Sequence, residues 1–182
     1  MFQQYDPDLT SMIVGEEESG MITKCLTRLM DETGATYSMV IDRAGQVLSS
    51  EGEVHKGEMM HLGALLAGSY ASSREMARLL REDNFRVLVQ EGTREKIFTE
   101  TVEDRWLLVV VFDHHAHLGL VKVLAKRTTQ SLVEILQLVI ERNDMYRSQL
   151  SGEFPRAATD TIDLIFGNDD PSETPKQTTE KN

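Results

Sequence analysis

The chain has 182 residues and a formal net charge of −11 at pH 7. That length suits one domain plus tails, and the acidic balance argues against nucleic acid or an anionic membrane as the main partner, since both need clustered Lys and Arg. The single cysteine, Cys25, excludes an internal disulfide and a cysteine-based zinc site, and the longest apolar run, Trp106–Phe112, falls far short of the ~20 residues of a membrane span.

The opening MFQQYDPDLT has neither the basic start nor the apolar stretch of a secretory signal. A cytoplasmic setting is therefore expected. Residues 1–15 show no sustained period and read as an irregular leader. A helix is predicted from Glu16 to Glu32. Glu16, Glu17 and Glu18 suit its positive end, Ile22, Cys25, Leu26, Leu29 and Met30 form its apolar stripe, and Gly34 stops it. Two β-prone runs follow, Thr36–Ile41 and Gln46–Ser50. They flank Asp42–Gly45, a tight turn with a glycine free to take positive φ, so they read as a hairpin. Ser49–Gly57 loops onward.

The next stretch, EMMHLGALLAGSYASSREMARLLRE from Glu58 to Glu82, reads as a helix with two committed faces. Leu62, Leu65, Leu66, Met76 and Leu80 are expected to form a core stripe. Gly63, Ala64, Ala67, Gly68 and Ala71, then Arg74, Glu75 and Arg78, are expected on the opposite side. A solvated face normally carries Lys, Glu and Gln, and Gly costs about 1 kcal/mol relative to Ala inside a helix. The series Gly63–Ala67–Ala71 and Ala64–Gly68–Ser72 place small residues four apart, where a second backbone can approach closely. The plainer alternative is that small residues are merely tolerated there. The reading adopted is a protein contact, with a second copy of the chain or with a partner.

After Asp83 the period becomes two. Phe85–Gln90, Lys96–Val102 and Arg105–Phe112 are predicted strands. The last is apolar on both faces, as a central covered strand would be. Two strands, a helix and a three-stranded meander imply one antiparallel sheet of five strands. A third helix follows FDHHAH, with Leu118, Val121, Ala125, Leu132, Ile135, Leu136 and Val139 recurring through to about Met145. The domain is bounded at 16–147. Residues 148–182 read as a flexible acidic tail with a short amphipathic segment at 159–167, suited to docking in a groove or to capping the domain's own surface.

The chain contains no P-loop, no dinucleotide fingerprint and no G-x-S-x-G elbow. Its carboxylates fall mostly on polar helix faces and loops. Asp113–His114–His115–Ala116–His117 invites a metal, yet consecutive histidines are expected to diverge, no second ligand group follows at a recognised spacing, and Asp113 serves equally well as a helix N-cap. No metal site, no cofactor and no catalytic residue are expected. A binding protein is the better class.

The stretches ATYSMVIDRAGQVLSS, HLGALLAGSYASSREMARLL and LLVVVFDHHAHLGLVKV, in this order of elements, resemble the roadblock (dynein light chain roadblock) family over about Glu16–Arg142. They look most like its bacterial MglB-type members, which activate the small Ras-like GTPase MglA. The resemblance implies an α+β fold, an α-β-α sandwich around a five-stranded antiparallel sheet in the order α-β-β-α-β-β-β-α. It further implies a homodimer with its second helices side by side and the sheets joined across the axis, that helix platform facing the GTPase. By position the platform carries over to Ala64, Ala67, Gly68 and Ala71, with Glu75 and Arg78 at its end. Arg74, Glu75 and Arg78 depart from the smaller residues expected there. The function implied is GTPase activation without a catalytic residue of its own, by gripping the switch regions, in polarity or motility control; any gathering at a cell pole would come through partners. The alternative is an adaptor that binds a GTPase without stimulating it.

Overall fold

A computed structural model describes residues 14–53 and 56–166. By its contacts the chain divides after Glu141, and the architecture below is that of the first unit. Most of the expected leader, and residues 167–182 of the expected tail, lie outside the described residues.

The element order is α1 (Glu16–Thr33), β1 (Tyr37–Asp42), β2 (Val47–Gly52), α2 (Lys56–Leu79), β3 (Val87–Glu91), β4 (Glu95–Val102), β5 (Trp106–Asp113) and α3 (Leu118–Phe166). The five strands form one antiparallel sheet, β2-β1-β5-β4-β3. The expected α-β-β-α-β-β-β-α order is the one observed, and the strand that is apolar on both faces, β5, holds the centre.

Each face of the sheet carries its own core. On one, Ile22, Leu26 and Leu29 of α1 and Val121, Ala125, Leu132 and Leu136 of α3 cover Val40, Phe98, Leu108, Val110 and Phe112. On the other, Leu66 and Tyr70 of α2 cover Tyr37, Met39, Ile41, Leu107 and Val109. Alternation along β1 and β5 feeds both, because successive side chains point to opposite faces. Cys25 is only partly buried and packs at the edge of the first core; that burial raises its thiol above the ordinary pKa, opposed by the nearby Arg28.

Local signals explain the element ends. Gly34 closes α1 in the left-handed region at φ 72° and donates its N–H to Met30 O at 2.8 Å, as a helix C-cap glycine does. In the β1–β2 turn the Asp42 carboxylate accepts from the N–H groups of Ala44 (2.9 Å) and Gln46 (2.8 Å). The three-residue β4–β5 connection, residues 103–105, holds Glu103 at φ 50° and Asp104 at φ 52°, and the Arg105 N–H donates to Val102 O at 3.3 Å to close the turn.

The sequence expectations for two of the helices need correction. The third helix does not end near Met145 but continues to Phe166, so residues 148–166 are helical backbone and the 159–167 segment is, up to Phe166, the end of α3 rather than an island in a tail. Gly152 and Pro155 read as breakers, at about 1 and 3 kcal/mol. Good helix formers around them, among them Gln149, Leu150, Ala157 and Ala158, let propagation carry through, since an existing helix adds one bond per residue fixed. The second correction concerns the faces of α2.

Candidate functional surface

Of the predicted leucine stripe, the inward side of α2 keeps Leu66, with Leu62 partly buried beside it, and not the rest. Buried residues fall at Gly63, Leu66, Ala67, Tyr70, Ser73 and Ala77, a spacing of threes and fours centred on one arc. Ala67, expected on the open platform, is 6% exposed and turned into the fold. Leu65, Met76 and Leu80, expected in the core, are exposed instead, Leu65 at 71%.

Gly63 explains the shift. A Cβ built there would stand 2.6 Å from the carbonyl oxygen of Gly45 at the hairpin tip, and one built on Gly45 would stand 2.6 Å from the Ala64 Cα. Gly45 also sits at φ 87°, a region that glycine enters without steric cost. The backbone that approaches this small residue closely is therefore the chain's own turn. The C-terminal end of α2 is tied down separately: Asn84 Nδ2 donates to Tyr70 Oη at 2.6 Å and to Asp104 Oδ1 at 3.1 Å. Burial raises the Tyr70 phenol above its usual pKa, with the Asn84 hydrogen bond acting the other way.

The outward side carries Ala64, Leu65, Gly68, Ala71, Ser72, Glu75, Met76 and Leu79, all exposed. Gly68 lies at the middle of this arc, and a Cβ there would meet nothing within 4 Å. Leu79 is 85% exposed. Of the predicted platform, Ala64, Gly68, Ala71, Glu75 and Arg78 are brought to this surface and Ala67 is not. Glu75 and Arg78 form an ion pair at 2.8 Å with both side chains well exposed, so the pair adds little to stability. Leu65, Met76 and Leu79 are the residues that sequence reading missed; winding the helix from Gly68 instead of from the leucines would have found them. Clustered exposed apolar side chains of this kind mark a surface that another molecule covers.

Beside α2, on the same side of the sheet, a groove of about 720 Å³ has Tyr37, Leu62, Ile97 and Val111 in its lining, together with the carboxylates Glu53, Glu58 and Glu95. Among the described residues no helix is long and apolar enough to cross a membrane.

The turn after β5 brings Asp113, His114 and His115 together, with one ligand atom from each within 4.8 Å of the others. The rings of His114 and His115 lie with centroids 3.9 Å apart. They do not diverge. Nor does Asp113 cap α3, which begins at Leu118; its Oδ1 accepts the His115 N–H at 2.8 Å.

The Roadblock/LC7 domain profile matches residues 21–112. Among solved structures, the chain is similar to Myxococcus xanthus MglB at 30% identity, covering 70% of this chain and 96% of that one with a TM-score of 0.65. It is similar to an MglB with a tetrameric arrangement at 30% identity, covering 71% and 97% with a TM-score of 0.67. The gliding protein MglB from Thermus thermophilus is 32% identical, with 69% and 95% covered and a TM-score of 0.65. No curated protein sequence matches the chain.

Proposed function

The chain belongs to the Roadblock/LC7 family, and from that premise we propose that it is the regulatory partner of a Ras-like small GTPase of the MglA type, acting in the cytoplasm as a homodimer. The observation that carries this reading is the outer face of α2, where exposed Leu65, Met76 and Leu79 lie along one flank of a floor of Ala64, Gly68 and Ala71. Left in water, such a face is an aggregation liability. Covered by protein, it is a platform.

The face supports self-pairing. In an antiparallel pair of helices centred on Gly68, His61 of one copy comes level with Glu75 of the other, and Leu65 with Ala71. Those matches put a carboxylate opposite an imidazole and a bulky side chain opposite a small one, as a two-fold interface requires. At 3.6 residues per turn the exposed positions span an arc of roughly 160°, wider than one helix contact uses. One flank is then free for the GTPase.

Hydrolysis by such a GTPase needs charge neutralisation at the transferred phosphoryl and an oriented water. In our reading the platform holds the switch regions in the competent arrangement, and the GTPase supplies both groups. This chain contributes no catalytic residue. Arg78 is engaged by Glu75, which does not favour a role as an inserted finger.

Phosphate release from an MglA-type GTPase, measured with and without the protein, tests the proposal. Acceleration is expected. Binding without acceleration would make the protein an adaptor, and no binding by a monomeric chain would overturn the reading. Ala71→Arg is expected to abolish binding while far-UV circular dichroism stays unchanged, because the side chain is exposed and a long cation would stand where close approach is needed. Unchanged affinity would move the contact elsewhere.

A further inference from the structure

We propose that Asp113, His114 and His115 form an open site for a single Zn²⁺ ion, separate from the α2 platform. In an extended strand, neighbouring side chains leave opposite faces, so two adjacent histidines seldom share a target. Here β5 ends at Asp113, and the turn that follows swings both imidazoles to one side, with ring centroids 3.9 Å apart. The Asp113 carboxylate joins them: one ligand atom from each of the three residues lies within 4.8 Å of the others. Among the described residues this is the one such group.

The chemistry of the set narrows the ion to an imidazole-binding divalent metal, of which zinc is the redox-inert choice. Two imidazole nitrogens and a carboxylate oxygen suit zinc, whereas calcium and magnesium take oxygen ligands. Asp113 Oδ1 accepts the His115 N–H, which orients the carboxylate and leaves its second oxygen to coordinate. Tetrahedral zinc at ~2.0–2.1 Å from each donor places donors about 3.3 Å apart. The three must therefore draw in slightly, which exposed His114 and His115 do by rotating about their own side-chain bonds. Three protein ligands leave the fourth position of the ion open to water or to a side chain of another molecule. His117 lies outside the group and takes no part.

The test is titration of the full-length chain, its affinity tag removed, with Zn²⁺ by isothermal calorimetry. Expected is one saturable site per chain. The double variant His114→Ala/His115→Ala should weaken it at least tenfold, Asp113→Asn should weaken it severalfold, and His117→Ala should stay within twofold of the parent. Far-UV circular dichroism should show all variants folded, since His114 and His115 are exposed. No saturable binding, binding that survives the double variant, or equal loss in His117→Ala would overturn the assignment. Because the assay contains no GTPase, its outcome is independent of the function proposed above.

Discussion

The contact between the hairpin tip and α2 makes a sharp prediction from two glycines five positions apart on one helix. Gly68→Ala places a methyl in open space, so only helix propensity and unfolded-state entropy act, a gain of about 0.5–1 kcal/mol. Gly63→Ala has the same propensity gain but puts its methyl 2.6 Å from the Gly45 carbonyl oxygen, roughly 1 Å inside a comfortable contact. Neither neighbour can yield easily, because Gly45 itself rests on the Ala64 backbone. Overpacking of this kind costs ~1–3 kcal/mol. Against backbone the upper part of that range applies, leaving a net loss of about 2 kcal/mol. For a chain of this size that lowers Tm by ~4–8 °C, while Gly68→Ala raises it by a few degrees. Urea and thermal unfolding, run at several low protein concentrations, read the fold alone where the result does not change with dilution. If the two variants prove equally stable, the hairpin does not seat on α2 and the assignment of the helix faces fails with it.

Two further outcomes are expected. Arg74→Ala and Arg78→Ala should both leave stimulated GTP hydrolysis within about twofold of the parent, whereas loss of an inserted arginine would cost 10³–10⁵; a collapse of that size in either variant would identify a finger. Glu100 of β4 is buried, and its Oε2 has no hydrogen-bond partner among the described residues. Burial raises its pKa, opposed by Arg86, Lys126 and Lys122 in that order. A raised carboxyl pKa means the native state keeps a proton that the unfolded state has lost, so stability falls as pH rises from the ordinary carboxyl range through the native value. Glu100→Gln should therefore unfold at higher urea than the parent at pH 7, the advantage vanishing below the ordinary carboxyl pKa. A variant weaker than the parent at pH 7 would show that the three cations outweigh the burial.

How much of this could be read beforehand differs by element. The strands were legible because each sits in a distinct environment: β5 is apolar on both faces since both are covered, and Asp42 with Gly45 marks a turn that only a few residue types can make. The helix α2 was legible as a helix but not in its orientation. It carries apolar residues nearly all the way round, so hydrophobicity alone cannot say which side is the core. Size decides, and size depends on what stands opposite. Gly63 faces inward because the hairpin tip leaves no room there for a side chain, Leu66 and Tyr70 fill the space over the sheet, and Leu65, Met76 and Leu79 are left outside. Convergence of His114 and His115 was hidden for a similar reason. It depends on a turn whose geometry rests on one hydrogen bond to Asp113, which spacing along the chain does not display.

Backbone resting on backbone also has a mechanical meaning. Neither Gly45 nor Gly63 has a side chain that could change rotamer to absorb a push, so at this point α2 has less give against the hairpin than where Leu66 and Tyr70 cushion it on the sheet.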